Sequence, residues 1–287
     1  ARGEYVYKFV PEGRFDPDNP EANHDLLDTG TVYVAVYHQN GTGEWRPLLW
    51  GEPGLTKADG FRDLADVLLN LRSAADAVGA TPMDRPEWVA VNPYTRDGYV
   101  TLTNNFLRGV DPDQPLDAAN PRPLNHHGQI LRWREKDRHP HALRFDWELF
   151  LLAGEQPPAD ESWRDNRYGN NRYGNIKGDI FASPDGLWFD PDGRLWIQTD
   201  FGDSNDVYDA MGTNQMLCAD PVTRQVKRFL TGPAGCEITG ITATPDGTAL
   251  WVNVQHPSIS YPASDSQTRP RSTTVLITKD DGGVIGT

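Results

Sequence analysis

Ser183-Pro184-Asp185-Gly186-Leu187-Trp188-Phe189-Asp190-Pro191-Asp192-Gly193-Arg194-Leu195-Trp196-Ile197 reads as an acid, a strand, a tight turn and a second strand. The apolar runs 187–189 and 195–197 are short and bounded by turn residues, as buried strands are. Between them Pro191 presets φ and Gly193 permits a positive φ, which is what a hairpin turn needs. The same order occurs twice more. Glu87 leads apolar residues into a turn over 92–98 and a strand over 99–102, and Glu237 leads residues 238–243 into Pro245-Asp246-Gly247 and Leu250-Trp251-Val252. The three acids start units 98 and 52 residues apart, so insertions interrupt the repeat. Acid, strand, turn, strand is what one propeller blade looks like in sequence. The expectation is an all-β fold: an incomplete β-propeller of several blades with one inserted helix around 60–78, and residues 1–287 as a single propeller-type domain.

Outward from these units, further strands are expected at 5–10, 31–37, 45–50, 128–133 and 147–152. In the second of these Val32, Val34 and Val36 alternate with Tyr33, Ala35 and Tyr37, the period of a sheet. Phe61, Leu64, Ala65, Leu68, Leu69, Ala75 and Val78 recur at helical spacing, with Asp59 or Thr56 as the cap and Gly79 closing the helix. Residues 16–28 read as a loop. The polar stretch 154–179 holds Asn166-Arg167-Tyr168-Gly169-Asn170 repeated at once as Asn171-Arg172-Tyr173-Gly174-Asn175, a loop duplication or a substrate-rim loop.

The 9 Trp, 10 Tyr and 10 Phe supply a core, and 27 Gly with 23 Pro suit many turns between short strands. A formal charge of −14 argues against sequence-independent nucleic-acid binding, which needs a basic surface, and suits divalent cations. No apolar run is long enough for a transmembrane helix, so no membrane partner is expected. No signal peptide is visible. The chain opens on Ala1-Arg2-Gly3-Glu4 and passes directly into a strand, which suggests a processed or truncated polypeptide. Cys218 and Cys236 make neither a disulfide framework nor a zinc pattern; they form one bridge, ligate nothing or sit buried.

The innermost strand of each blade lines a central channel, so Glu87, Asp185 and Glu237 would converge at one mouth. Like charges that close hold a cation or share a proton. Hard carboxylate oxygens favour calcium, magnesium, manganese or ferric iron. Arg85, two residues before Glu87 in Asp84-Arg85-Pro86-Glu87-Trp88, offers a planar fork for phosphate oxygens. Asp84 is expected to brace the turn. Asn104, Asn105 and Asn125 are neutral oxygen donors or turn residues, and His256 follows a strand that could bring it to the same mouth. His126-His127 and His139-Pro140-His141 lack the helical spacing of a zinc site and read as surface loops. Asp200, Asp203 and Asp206 are spaced like a calcium loop without its Gly and Glu, and read as a solvated loop. There is no nucleophile elbow, P-loop or dinucleotide fingerprint, and Ser183 sits in a turn, so catalysis would be metal-centred.

Several segments resemble the PhoX family of alkaline phosphatases. They are Glu4-Tyr5-Val6-Tyr7-Lys8-Phe9-Val10, the stretch 74–88 ending in Met83-Asp84-Arg85-Pro86-Glu87-Trp88, Thr101-Leu102-Thr103-Asn104-Asn105 and Asn120-Pro121-Arg122. Further along they are Phe181-Ala182-Ser183-Pro184-Asp185-Gly186-Leu187, Cys236-Glu237-Ile238-Thr239-Gly240 and Val252-Asn253-Val254-Gln255-His256-Pro257. The resemblance implies a β-propeller phosphomonoesterase with an iron and calcium cluster (Fe3+, Ca2+) in its channel. Glu87, Asp185 and Glu237 would then be metal ligands and Arg85 a phosphate contact. It implies a small-molecule phosphoester substrate and a periplasmic or extracellular location, and a monomer is expected. Family members are longer, with an N-terminal half that brings a twin-arginine signal, a Cys and a further Glu on iron, and more blades. This chain is therefore expected to be the C-terminal portion, with an incomplete metal site and doubtful activity alone. Two other readings stay open: a calcium-dependent propeller lactonase or esterase, and a non-catalytic, calcium-stabilised propeller used for binding.

Overall fold

Period-2 alternation and Pro/Gly/Asx turns shape most of this chain into short antiparallel strands. A computed structural model describes residues 2–159, 171–202, 206–257, 261–263, 265 and 267–286, which form fifteen strands and two α-helices. The chain divides into two compact units, 1–83 with 134–147 and 84–133 with 148–287. Among the described residues no helix is long and apolar enough to cross a membrane.

In the first unit β1 (Tyr7–Pro11), β2 (Gly30–Tyr37) and β3 (Thr42–Pro47) pair antiparallel, with Tyr7 opposite Val34 and Val34 opposite Arg46. The third strand runs earlier than the expected 45–50 and stops at Pro47, which has no N–H for a ladder. The expected helix over 60–78 is broken in two, α1 (Leu64–Leu69) and α2 (Leu71–Ala77). Asn70 is the cause: its backbone leaves helical geometry (φ −118°, ψ 44°) and its Nδ2 donates to the Asp66 carbonyl at 2.8 Å. Asp63 caps α1, while Thr56 and Asp59 cap each other around a preceding turn of 3-10 helix. The break resets the helical phase. Val67, Ala74 and Ala75 therefore enter the core with Val34, Leu48, Leu55 and Phe61, and Leu64, Leu68 and Leu69 stay exposed. Gly79, at φ +69°, follows the C-cap as expected.

The second unit holds three sheets in succession. The first contains, as neighbours, β4 (Pro86–Val91), β5 (Gly98–Leu102) and the parts within this unit, 129–133 and 148–152, of β6 (Gln129–Glu135) and β7 (Arg144–Leu152). The second has β9 (Pro184–Phe189), β10 (Leu195–Thr199), β11 (Gln215–Ala219) and β12 (Gln225–Thr231) in antiparallel order, with the two-residue β8 (Lys177–Gly178) parallel to β12. The third is β13 (Glu237–Ala243), β14 (Ala249–Gln255) and β15 (Thr273–Thr278). The first strands lie side by side, β4 against β9 and β9 against β13. This is the propeller-like, all-β arrangement that the repeat predicts. Leu187, Phe189, Leu195 and Ile197 pack toward Tyr99 and Phe150, and Trp196 and Met216 toward Ile238, Leu250 and Val252. Cys218 and Cys236 form no disulfide with each other, and both pack at this second core.

The hairpins close on side-chain acceptors. Asn92 Oδ1 accepts from the Tyr94 and Thr95 amides, Asp190 Oδ1 from Asp192 and Arg194, and Asp220 Oδ1 from Val222 and Thr223, at 2.7–3.0 Å. Late in each turn one residue takes positive φ: Arg96 (59°), Gly193 (81°) and Arg224 (61°).

Candidate functional site

Three strand starts share one backbone shape. In Arg85-Pro86-Glu87, Ser183-Pro184-Asp185 and Gly235-Cys236-Glu237 the first residue has φ of +52°, +49° and +79°, and the acid comes third. Left-handed backbone is free only for glycine and costs other residues on the order of 1–3 kcal/mol. Arg85 and Ser183 are held there by tertiary hydrogen bonds: the Thr103 amide donates to the Arg85 carbonyl and the Asp200 amide to the Ser183 carbonyl, both at 3.0 Å. The strand register then slips beside each acid, between Pro86 and Val89, opposite 197–199, and between Thr239 and Thr242. Such bulges re-aim side chains at strand ends. Gly186 approaches Gln198 closely: a Cβ there would lie 2.2 Å from Gln198 Oε1, so that amide would have to move.

The acids meet. Asp185 and Glu237 are buried, and each carboxyl lies in the other's field. Glu237 Oε2 also accepts from Gln255 Nε2 at 2.7 Å and lies 3.3 Å from His256 Nε2. Burial, then the negative charges of Glu87, Asp200 and Glu237, push the Asp185 carboxyl up to about 8. Burial and Asp200 raise Glu237 as well. Both carboxyls therefore favour the protonated form more than an exposed acid does. Asp185 Oδ1 is buried without a hydrogen-bond partner. Beside the pair, the Arg85 guanidinium stands 3.1 Å from Asp200 Oδ2 and 3.7 Å from Glu87 Oε1, and donates to Asn104 Oδ1 at 3.3 Å. Asn104 Nδ2 donates onward to Ser183 Oγ, and Ser183 Oγ to the His126 carbonyl.

Four carboxylates around one guanidinium, with a buried oxygen left unbonded, suit a hard cation. Among the described residues no group of three His, Cys, Asp or Glu side chains is gathered closely enough to hold a metal ion as it stands. The crowded Asp185 and Glu237 carboxyls favour protons, and a cation bound there would displace them.

The structure thus gathers Arg85, Glu87, Asp185 and Glu237, and adds Asn104 and His256. Asn105 and Asn125 belong elsewhere. They donate to Asp84 at 2.9 Å each, where Arg108 Nε also donates at 2.7 Å, and all four side chains are buried. Asp84 is the brace expected of it. Two readings are corrected. Asp200 is not a solvated loop acid: the register Thr199↔Pro184 sets it opposite the Ser183–Asp185 kink, where it pairs with Arg85. The sequence signal was its place directly after the second strand of its unit, as Thr103 follows the second strand of the first. Asp203 lies outside the described residues, and Asp206 opens a 3-10 helix, Asp206–Met211. His126-His127 is not a surface loop either. His127 is buried, its Nδ1 lies 2.8 Å from the Asn171 carbonyl oxygen, and burial lowers it to about 4. His139 and His141 are exposed. Of the tandem pentapeptide, residues 166–170 lie outside the described residues; in the second copy Arg172 Nε donates to Glu155 at 2.6 Å.

A family model described as alkaline phosphatase PhoX matches residues 1–258. Among solved structures, Pseudomonas fluorescens PhoX in complex with vanadate, a transition state analogue, is 43% identical with a TM-score of 0.90. That match covers 100% of this chain and 50% of the other, so this chain spans half the length of that relative. A luciferin-regenerating enzyme (8% identical, TM-score 0.39, 88% of this chain and 54% of that chain) and a gluconolactonase from Xanthomonas campestris (14%, 0.31, 70% and 60%) also match. Likeness at that level carries no argument. No curated protein matches. With a family model over nine-tenths of its length and a relative this similar throughout, the chain belongs to the PhoX alkaline phosphatase family.

Proposed function

We propose that this chain carries the metal-binding acids and the phosphate contact of a metal-dependent alkaline phosphatase that hydrolyses phosphomonoesters at the mouth of a propeller channel. The observation that carries the reading is the Arg85 guanidinium, held by Asp200 and Glu87 against a buried pair of carboxyls. The vanadate bound by the Pseudomonas fluorescens relative supports a phosphoryl substrate.

In this reading Glu87, Asp185 and Glu237 hold calcium and ferric iron. The cations, when bound, supply Lewis acidity and charge neutralisation at the phosphoryl group. Arg85 binds two nonbridging phosphate oxygens in a fork, and Asp200 and Asn104 fix the plane of that fork. Asp185, raised to about 8 by burial and its acidic neighbours, gives up its proton as pH rises past that value, which frees its oxygens for the cations under alkaline conditions. The contacts engage phosphate and not the leaving group, so a range of small phosphoesters is expected. The same reading makes the protein a monomer of the periplasm or the cell exterior.

The test is hydrolysis of p-nitrophenyl phosphate at alkaline pH, with calcium and then with a chelator, on this chain and on a form with the full length of its relatives. Calcium-dependent turnover that the chelator abolishes is expected. Arg85→Ala should lower kcat/KM by about 10²–10³, as losing one charge-stabilising donor does. Absence of phosphoester turnover in both forms, or an Arg85→Ala variant as active as its parent, overturns the reading.

A further inference from the structure

Of the residues that open the acid kinks in left-handed backbone, Gly235 takes the shape freely and Arg85 carries the fork. Ser183, at φ +49°, stands where glycine would be unstrained. A non-glycine residue held in that region points to a use for its side chain. Ser183 is fully buried, and its hydroxyl belongs to a chain of hydrogen bonds that ends on Arg85.

Chemistry fixes both ends of that chain. A guanidinium only donates and a carbonyl oxygen only accepts. Arg85 Nη1 lies 3.3 Å from Asn104 Oδ1, Asn104 Nδ2 lies 3.3 Å from Ser183 Oγ, and Ser183 Oγ lies 3.2 Å from the His126 carbonyl oxygen. Ser183 therefore gives its proton to His126 and accepts from Asn104. That commits the Asn104 NH2 group to Ser183 and leaves Oδ1 to face Arg85. Turned over, the amide would set its own donors against the donors of the guanidinium. In the observed direction the two terminal nitrogens of Arg85 each meet an acceptor, Asn104 Oδ1 on one and Asp200 Oδ2, at 3.1 Å, on the other. The Tyr208 hydroxyl donates to the same His126 carbonyl at 2.9 Å, so this acceptor keeps a partner when the serine hydroxyl is removed.

We propose that Ser183 is a positioning residue: its hydroxyl sets the direction of the Asn104 amide and, through it, the plane in which Arg85 meets phosphate. The contact with phosphate rests on the phosphatase reading, whereas the direction of the amide does not.

Ser183→Gly tests it, because it removes the hydroxyl at a position whose backbone glycine accepts. Its urea midpoint should equal or exceed that of the parent. In heteronuclear NMR spectra of this chain without substrate, the Asn104 side-chain amide and Arg85 Nε signals, identified by their loss in Asn104→Ala and Arg85→Lys, should both shift in Ser183→Gly. In an Asn104→Ala background Ser183→Gly should leave the Arg85 signal in place. In the form that hydrolyses p-nitrophenyl phosphate, Ser183→Gly should lower kcat/KM and weaken inhibition by inorganic phosphate about tenfold each, the worth of one hydrogen bond to a charged group. In the Asn104→Ala background the same change should have less than about a twofold effect. Equal effects of Ser183→Gly in the two backgrounds would assign Ser183 to the kink alone and overturn the proposal, and so would unmoved Arg85 and Asn104 signals. If no form turns over a phosphoester, the phosphatase reading falls, and the signals alone decide for or against Ser183.

Discussion

Replacing Arg108 with methionine should cost the second unit a large part of its stability. Arg108 and Asp84 are an ion pair with side chains 1% and 0% exposed, joined at 2.7 Å. Methionine fills a similar volume but strands the carboxylate. Breaking one side of a buried pair costs about 3–5 kcal/mol, because the remaining charge has no water to return to. Asp84 keeps the Asn105 and Asn125 amides, each at 2.9 Å. These bonds are present in both proteins and keep the stranded charge partly solvated, which places the expected cost at the lower end of that range, about 3 kcal/mol. Arg108 NH1 also releases the Pro115 carbonyl. In urea, with a slope near 3 kcal/mol per molar, the midpoint of the tryptophan-fluorescence transition should fall by about 1 M. The double variant Asp84→Asn/Arg108→Met removes the stranded charge. It should recover stability relative to Arg108→Met, with a coupling energy of about 2 kcal/mol. A midpoint shift under about 0.3 M, or strictly additive single variants, would refute the argument that charge stranding, and not packing, sets the cost.

The cluster should make the metal-free protein less stable as pH rises. Asp185 is raised from 3.8 to about 8, so its contribution is fully present below the unfolded value and is lost as pH climbs through the folded one. Urea midpoints taken at pH 5, 7 and 9 should fall in the parent and stay flatter in Asp185→Asn, and calcium should restore the parent more at pH 9 than at pH 5. Parallel pH profiles for the two proteins would contradict this. Arg96→Gly should raise stability by roughly 0.5–1 kcal/mol, since Arg96 holds φ +59° where the neighbouring hairpin uses Gly193. A lowered urea midpoint would show that the Arg96 side chain matters more than its backbone strain.

The hairpins were legible because their determinants are local. An Asx acceptor, a residue able to take positive φ and flanking apolar runs lie within a dozen residues, and the acids sit at a fixed offset from them. Asp200 was not legible as a site residue. Its partner Arg85 is 115 residues away, and its placement comes from the pairing of Thr199 with Pro184. The helix over 60–78 failed at one residue, because Asn70 offers its own side chain to the backbone and a pattern of apolar spacing does not register that competition. The burial of His127 depends on a carbonyl at Asn171 and the ring of Tyr208, both remote in sequence. Asp84 was legible as a brace but its partners were not, since Arg108, Asn105 and Asn125 converge only after the loop between β5 and β6 has folded back.

Glu87, Asp185 and Glu237 each stand third in a kink whose shape is set by its first two residues, a left-handed one and then a proline or Cys236. The shape is held by backbone hydrogen bonds to the Arg85 and Ser183 carbonyls and does not use the carboxylates themselves. Chemistry and scaffold are thereby decoupled. Exchanging a carboxylate for an amide or imidazole at position 87, 185 or 237 changes what the mouth can hold and leaves the kink its determinants. Such a frame can be retuned through single substitutions from one cation, or one leaving-group chemistry, to another without passing through an unfolded intermediate in its evolutionary history. The shape of the frame rests instead on quieter residues, Pro86 and Pro184 among them, which touch no substrate in this reading.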